Sequence, residues 1–438
     1  MKTVLIISYH FPPDTSVGGR RPAKFARYLP SFGWRPLVLT VDPRYHEATD
    51  KTHPPEAASV EHTGMMPSFE DAYRWLKRRL SRPGGVPPAP SAGSAMPKPR
   101  SFLRSLGLAL MYLPDKQLPW VPFAVARGLQ ITSRRRIHAI FTTSPPNSVQ
   151  IAGALLHGLT GIPWLADLRD PWTNEAQPDY QRTAIARLLN APIERATLAH
   201  ADRIITVTDE MHHYYRSLLD RGIEHFHLIH NGYDPSDFPQ PPVPQAGGPL
   251  TLRYLGSFYH SRDPRWLLEA AGQLIARGEA APGQLRIEFI GHCAQTPSGP
   301  IDQMIATNGL QGVAEAIAWM PHREALGRMQ AADVALLFAP RQKMQVPAKL
   351  FEYIGARKPV LALTEPDGST GRLVGRARCG RVVDQRDVDG IARVLKELLE
   401  QKRRGPLAFE PDGDALALLD VRRQAELLAH VLNEATYA

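Results

Sequence analysis

The sequence predicts an α/β fold made of two parallel-sheet domains. Short apolar runs recur along the chain and alternate with stretches of helical periodicity, the pattern of parallel strands joined by crossover helices. A proline-rich connection at positions 235–249 divides these elements into two sets. At 438 residues the chain also exceeds the size at which one hydrophobic core keeps growing, and its 43% hydrophobic content suffices for two.

The elements follow in order. Residues 4–8 (Val-Leu-Ile-Ile-Ser) read as a first strand, followed by a loop ending in Gly18 and Gly19 and a helix over 20–32. Pro22 suits the first turn of that helix, where a missing N–H costs nothing. Further strands are read at 36–41, 139–143, 163–167 and 203–207, with a helix at 148–159. In the second set, strands fall at 250–255, 285–290, 334–338 and 360–363, with helices at 264–276 and 391–399. Val421, Ala425, Leu428 and Leu432 recur at helical spacing after a capping Asp420, giving a closing helix. The predicted organisation is residues 1–230 as the first domain, with an insertion at about 65–117; 231–249 as linker; 250–410 as the second domain; and 411–438 as the closing segment.

Two cysteines, Cys293 and Cys379, argue against a disulfide framework and suit a reducing, cytoplasmic setting with structural thiols. The apolar run at the amino terminus is too short for a signal peptide, and no stretch approaches the roughly 20 apolar residues a membrane-spanning helix needs. The formal net charge of +9 is local: between positions 70 and 136 there are 13 Lys or Arg against three acids, so the remainder is close to neutral. The basic region peaks at Arg74, Lys77, Arg78, Arg79 and Arg82 and again at Arg134, Arg135 and Arg136, interrupted by a flexible, proline-rich insertion at 83–99. An anionic membrane surface, nucleic acid and simple solubility all account for such a patch; it lacks the interleaved aromatics that nucleic-acid binding favours. The apolar stretch at 102–113 beside it reads either as a segment packed on the core or as a membrane-surface contact.

Residues 346–363 say most about chemistry. They read as a loop, a short helix carrying Lys349 and Glu352, and a buried strand. Three-residue spacing puts the cation and the carboxylate on one helical face, beside the carboxyl ends of a parallel sheet. That pairing suits an anionic leaving group held together with a polyhydroxyl ring, although an ordinary surface Lys and Glu have the same spacing. The segment resembles the donor-binding signature of retaining glycosyltransferases of family 4, in which a carboxylate grips sugar or ribose hydroxyls and nearby cations hold a diphosphate. The family's pattern carries a second glutamate eight positions earlier, where this chain has Met344. Only Glu352 carries that role over.

The resemblance extends over most of the chain outside about 43–117. It implies the GT-B architecture, two Rossmann-like domains facing across a cleft. It also implies that the Gly18–Gly19 turn closes over the donor diphosphate and the acceptor, with Arg20 adding a cation. Read alone, the glycine pair is a tight turn at a helix amino terminus and lacks G-x-G-x-x-G spacing, against a nicotinamide site. In the segment 256–264 the resemblance implies diphosphate contacts at Gly256 and Ser257, and Arg262 matches the second of the family's two cations, whereas Ser257 stands where the first would be. Arg262 and Lys349 are therefore expected to form the phosphate pair. Gly291 and His292 end a strand on the donor side, and Pro321 with His322 falls where the family binds the base. Ser369 and Thr370, before a helix, are expected to offer N–H groups to phosphate oxygens, a simple turn being the alternative.

Asp167, Arg169 and Asp170 lie at a strand end of the first domain and are expected on the acceptor side, Asp170 as a catalytic carboxylate; a buried Arg–Asp pair fixing the loop is the other reading. The family's loop histidine has no counterpart in Thr143-Ser-Pro-Pro-Asn147, so the departing phosphate is expected to take the acceptor proton itself. Asp387 and Asp389 have D-x-D spacing but precede a helix and read as cap residues, so neither metal nor cofactor is expected. The resulting expectation is a metal-independent, retaining hexosyltransferase that moves a sugar from a nucleoside-diphosphate-sugar donor to a glycan or lipid-linked glycan in cell-surface polysaccharide synthesis, docked on the inner face of the membrane. The alternatives are a non-catalytic nucleotide-sugar-binding protein, and an epimerase or phosphorylase on the same fold.

Overall fold

The structure, a computed structural model, describes residues 1–50, 59–67, 113–173, 184–238, 247–259 and 261–437. The basic cluster at Arg74, Lys77, Arg78, Arg79 and Arg82, the proline-rich insertion and the apolar stretch at 102–112 lie outside these residues. The chain divides into two compact units: Met1–Asn231 together with Val421–Ala438, and Gly232–Asp420.

The first unit is built on seven parallel strands, β1 (Lys2–Ile7), β2 (Trp34–Val41), β3 (Ser59–Thr63), β4 (Ala139–Ser144), β5 (Trp164–Leu168), β6 (Arg203–Thr206) and β7 (Phe226–Leu228), in the order β3-β2-β1-β4-β5-β6-β7. Helices α1 (Arg20–Tyr28), α2 (Val121–Arg134), α3 (Ser148–Thr160), α4 (Ala184–Leu198) and α5 (Asp209–Leu219) provide the crossovers. The helix read over 20–32 is α1 plus a 3-10 turn at Leu29–Phe32, closed by Gly33 at φ +84°, a left-handed position that favours glycine.

The second unit has six parallel strands, β8 (Leu250–Ser257), β9 (Leu285–His292), β12 (Ala314–Ile317), β13 (Val334–Phe338), β14 (Val360–Leu363) and β15 (Gly380–Val383), in the order β12-β9-β8-β13-β14-β15, with β10 (Gln295–Thr296) and β11 (Gly299–Pro300) forming a small hairpin. Its helices are α6 (Arg265–Ala276), α7 (Ile301–Thr307), α8 (His322–Gln330), α9 (Ala348–Gly355), α10 (Ser369–Arg376), α11 (Val388–Arg404) and α12 (Gly413–Ala417). Val334, Leu336 and Phe338 enter one core and Ala335 and Leu337 the other, so the sheet is buried on both faces.

The closing segment divides where the units do. Helix α12 packs Ala415 and Leu416 on the second unit's core, whereas α13 (Val421–Tyr437) buries Val421, Ala425, Leu428 and Leu432 against Val4, Phe25 and Phe141 of the first. Lys2 Nζ donates to Thr436 Oγ1 at 2.9 Å, joining the first strand to the last helix. Among the described residues no helix is long and apolar enough to cross a membrane. Each sheet has one point where the strand order reverses, between β1 and β4 and between β8 and β13, and ligands of open α/β sheets bind outside the strand carboxyl ends at such points.

Candidate active site

In the second unit, β8 ends at Gly256 and Ser257, which pair in register with Gly291 and His292 at the end of β9. Both glycines lie at positive φ, +148° and +123°. A Cβ on Gly291 would strike the Gly256 carbonyl, and one on Gly256 would strike Lys349 Nζ. Lys349 reaches this point from the first turn of α9, with Nζ 5.4 Å from the centre of the Tyr254 ring. Tyr254 is buried, and its hydroxyl donates to Ser257 O at 2.9 Å. Burial pushes that hydroxyl's pKa up and the Arg262 charge pulls it back, which places Arg262 beside the same tyrosine. The Arg262 guanidinium lies 4.7 Å from the Tyr259 ring centre. The loop carrying it is tied down by Ser261 Oγ donating to Pro340 O at 3.3 Å and Gln385 Nε2 donating to Ser261 O at 2.9 Å. Lys349 and Arg262, distant in sequence, therefore converge on Tyr254 at the end of β8.

Glu352 lies one helical turn beyond Lys349, mostly covered, with Oε1 3.7 Å from Nε2 of His322. His322 opens α8 directly after Pro321, and the neighbouring Trp319 is 65% exposed. Helix α9 is fixed to β8 by the Leu255 N–H donating to Tyr353 Oη at 3.1 Å. Cys293 donates its thiol to Gly256 O at 3.3 Å, and burial pushes that thiol up to about 12 while Lys349 opposes the shift. It is a structural thiol.

Ser369 differs from expectation. The Ser369 hydroxyl and N–H both donate to Lys343 O, at 2.7 and 3.0 Å, and Thr370 Oγ1 donates to Gln345 O at 3.2 Å. Both side chains are buried, and the Ser369 N–H and the two hydroxyls fasten the loop that leads into α9, with Thr370 in the first turn of α10. Asp387 caps α11, its carboxylate accepting from Gly390 N at 2.8 Å, with Asp389 in the same first turn.

In the first unit Gly18 and Gly19 form a 3-10 turn leading into α1, which Arg20 opens. Asp167 does not face an acceptor. It is fully buried, gripped by Arg21 Nε and Nη2 at 3.1 and 2.9 Å, and accepts from Thr143 Oγ1 at 2.7 Å. Arg169 is buried too and donates to backbone oxygens of Ser144 (2.9 Å), Gly18 (2.9 Å) and Pro145 (3.2 Å). Burial lowers its pKa, while Asp167 and Asp170 oppose the shift. The buried Arg–Asp reading thus holds with a different partner, Arg21, and Arg169 clamps the loops after β1 and β4 together. Asp170 remains half-buried beside this clamp. The segment after it is anchored by Trp172 N donating to Tyr215 Oη at 3.0 Å and Tyr215 Oη donating to Glu194 Oε1 at 2.8 Å.

Two groups at the β1 end escaped the sequence reading. His10 Nδ1 lies 2.6 Å from Asp14 Oδ2, and His46 Nε2 approaches the same oxygen at 4.0 Å. A loop histidine four residues from an aspartate gives no periodic signal, and His46 meets them only through tertiary folding.

Two parallel-sheet units of this kind, each with cations or helix amino termini at its strand-order reversal, define a GT-B glycosyltransferase. The chain matches the model of the glycosyl transferase 4-like domain over residues 18–232 and that of the glycosyl transferases group 1 over 249–401. It belongs to the family 4-like glycosyltransferases. Sucrose-phosphate synthase from Thermosynechococcus elongatus is similar over 99% of both chains at 16% identity, with a TM-score of 0.63. HepE from Anabaena, in complex with UDP, is similar over 99% of this chain and 100% of its own at 15% identity and a TM-score of 0.60. No curated protein sequence matches the chain.

Proposed function

We propose that the protein is a retaining, metal-independent hexosyltransferase that uses a nucleoside-diphosphate-sugar donor. The observation that carries this reading is the convergence of Lys349 and Arg262 on Tyr254, beside two glycines that let ligand and backbone approach closely, with Glu352 on the same helix as Lys349. As the sugar–phosphate bond breaks towards an oxocarbenium-like state, charge grows on the leaving diphosphate. Fixed cations stabilise that charge more in the transition state than in the ground state. Lys349 supplies the cation that Ser257 does not, and Glu352 holds sugar or ribose hydroxyls. Similar structures determined with UDP, with UDP and glucose, and with UDP-glucose support a uridine nucleotide as the first donor to test.

The acceptor in this reading is a glycan or lipid-linked glycan of the cell surface, bound on the first unit near Asp170. The basic sequence between positions 70 and 136 supports docking on an anionic leaflet, each basic residue contributing at most about 1 kcal/mol. Vesicle co-sedimentation that ignores anionic lipid and salt would remove the docking role. For the donor, melting temperature is measured against UDP, GDP, ADP and dTDP. One of them is expected to raise it by mass action, by about 2.7 kcal/mol of stabilisation at a hundred times Kd. Stabilisation without donor consumption would favour the non-catalytic nucleotide-sugar-binding reading, and no stabilisation by any of the four would end the donor assignment.

A further inference from the structure

Lys349 is presented by a helix, but Arg262, its companion in the donor reading, stands on the loop between β8 and α6, where its neighbours have to fix it. Both neighbours are held. Asp263 is buried, accepts from Arg265 N at 3.1 Å at the start of α6, and takes the Ser298 hydroxyl from the β10–β11 hairpin. Ser261 is tied from two other strand ends: its hydroxyl donates to Pro340 O, after β13, at 3.3 Å, and its carbonyl accepts from Gln385 Nε2, after β15, at 2.9 Å. Arg262 closes a turn between them, its N–H donating to Tyr259 O at 3.1 Å. Its guanidinium then lies over the Tyr259 ring and beside Tyr254.

The tie from Gln385 differs from the others. Gln385 is 5% exposed, and its Oε1 is buried with no hydrogen-bond partner among the described residues. A buried acceptor left without a donor costs at least as much as one neutral hydrogen bond contributes. What the amide makes at Nε2 it therefore forfeits at Oε1, and it adds nothing net to folding stability. Its effect is one of position. In the strand order β8-β13-β14-β15, the loop after β8 meets Gln385 three strands away, so this bond draws Ser261 across the carboxyl ends of β13 and β14, over the strand-order reversal. With the backbone on both sides of it fixed, Arg262 gives up freedom before an anion arrives, and binding is relieved of the cost of ordering one long side chain.

We infer that Gln385 is a positioning residue for donor binding, acting through Ser261 to hold Arg262 ready for the diphosphate. The inference rests on the donor reading above and lies wholly within the second unit. Its signature is a separation of two quantities that a plain structural contact keeps together. Losing the Gln385 amide weakens nucleotide binding without weakening the fold, and it does so only while Arg262 is present.

The test is calorimetric titration of UDP, GDP, ADP and dTDP into the full chain, with the tightest of the four carried into two variants and their combination. Gln385→Met puts an adaptable apolar side chain of similar length in place of the amide, removing the Ser261 bond and the orphan acceptor together. The ligand-free melting temperature is expected to stay the same or rise, and nucleotide affinity to fall about fivefold, the scale of ordering one long side chain. Arg262→Ala is expected to weaken binding further. Because Gln385 acts through Arg262, adding Gln385→Met to Arg262→Ala is expected to change affinity by less than about twofold. Affinity of Gln385→Met within about twofold of wild type would overturn this inference alone. So would an equal loss with and without Arg262, or a loss that comes with a lowered melting temperature. Unchanged affinity in Arg262→Ala removes Arg262 from the phosphate pair, and a wild-type protein that binds none of the four removes the donor reading; the inference falls with either.

Discussion

Lys349 brings an ammonium group from α9 to the carboxyl end of β8. Ser257 stands where the related signature has a cation, yet an ammonium group lies against Gly256 all the same, delivered from α9. Lys349→Ala is expected to leave the fold intact and lower kcat/KM by about 2–4 kcal/mol of transition-state stabilisation, the scale of losing one preorganised donor. Near-normal turnover in that variant would mean the phosphate contact lies elsewhere. Lys349 and Glu352 were legible because their spacing falls on one helical face. Asp167 and Arg169 were visible as a charged group at a strand end, but their partners were not: Arg21 pairs with Asp167 across 146 positions, and Arg169 binds backbone oxygens of three residues. No local pattern encodes a contact of that kind.

At the level of elements, legibility followed burial. The central strands β13 and β14 are continuous apolar runs covered on both faces, and the sequence marks both ends of each correctly. Edge strands β3 (Ser-Val-Glu-His-Thr) and β12 (Ala-Glu-Ala-Ile) are short and carry charge, so neither their periodicity nor their composition stands out from loop. Edge strand β7 also went unread, and it carries a titratable contact with α13. His227 is largely buried, with Nε2 3.8 Å from Glu434 Oε2, and burial, partly offset by Glu434, lowers its pKa to about 4. The unfolded chain takes up a proton near pH 6.5, whereas the folded one resists until about pH 4. Stability is therefore full above that window and falls as pH drops through it, by about 3 kcal/mol at most. Denaturant melts over this range should slope in wild type, with His46, His138 and His212 contributing in the same sense, and slope less in His227→Gln; equal slopes would show that β7 and α13 do not sense the proton. Asp14 titrates lower, between 3.8 and about 2, and does not blur the comparison.

Across the whole molecule, the reading of charge without metal has a direct check. Asp387 caps α11, and Asp389 sits in the same first turn. Turnover should persist in EDTA; loss restored by Mn²⁺ or Mg²⁺ would return Asp387 and Asp389 to the chemistry. The chain's other large-scale property is that α13, last in sequence, completes the core that β1 begins. A ribosome delivers the Gly232–Asp420 unit in full while Phe25 and Phe141 still lack the helix that covers them. Domains usually finish in the order they are made. Here the inserted unit can close first, and the one begun before it waits, with apolar surface open to chaperones, until residues 421–438 emerge.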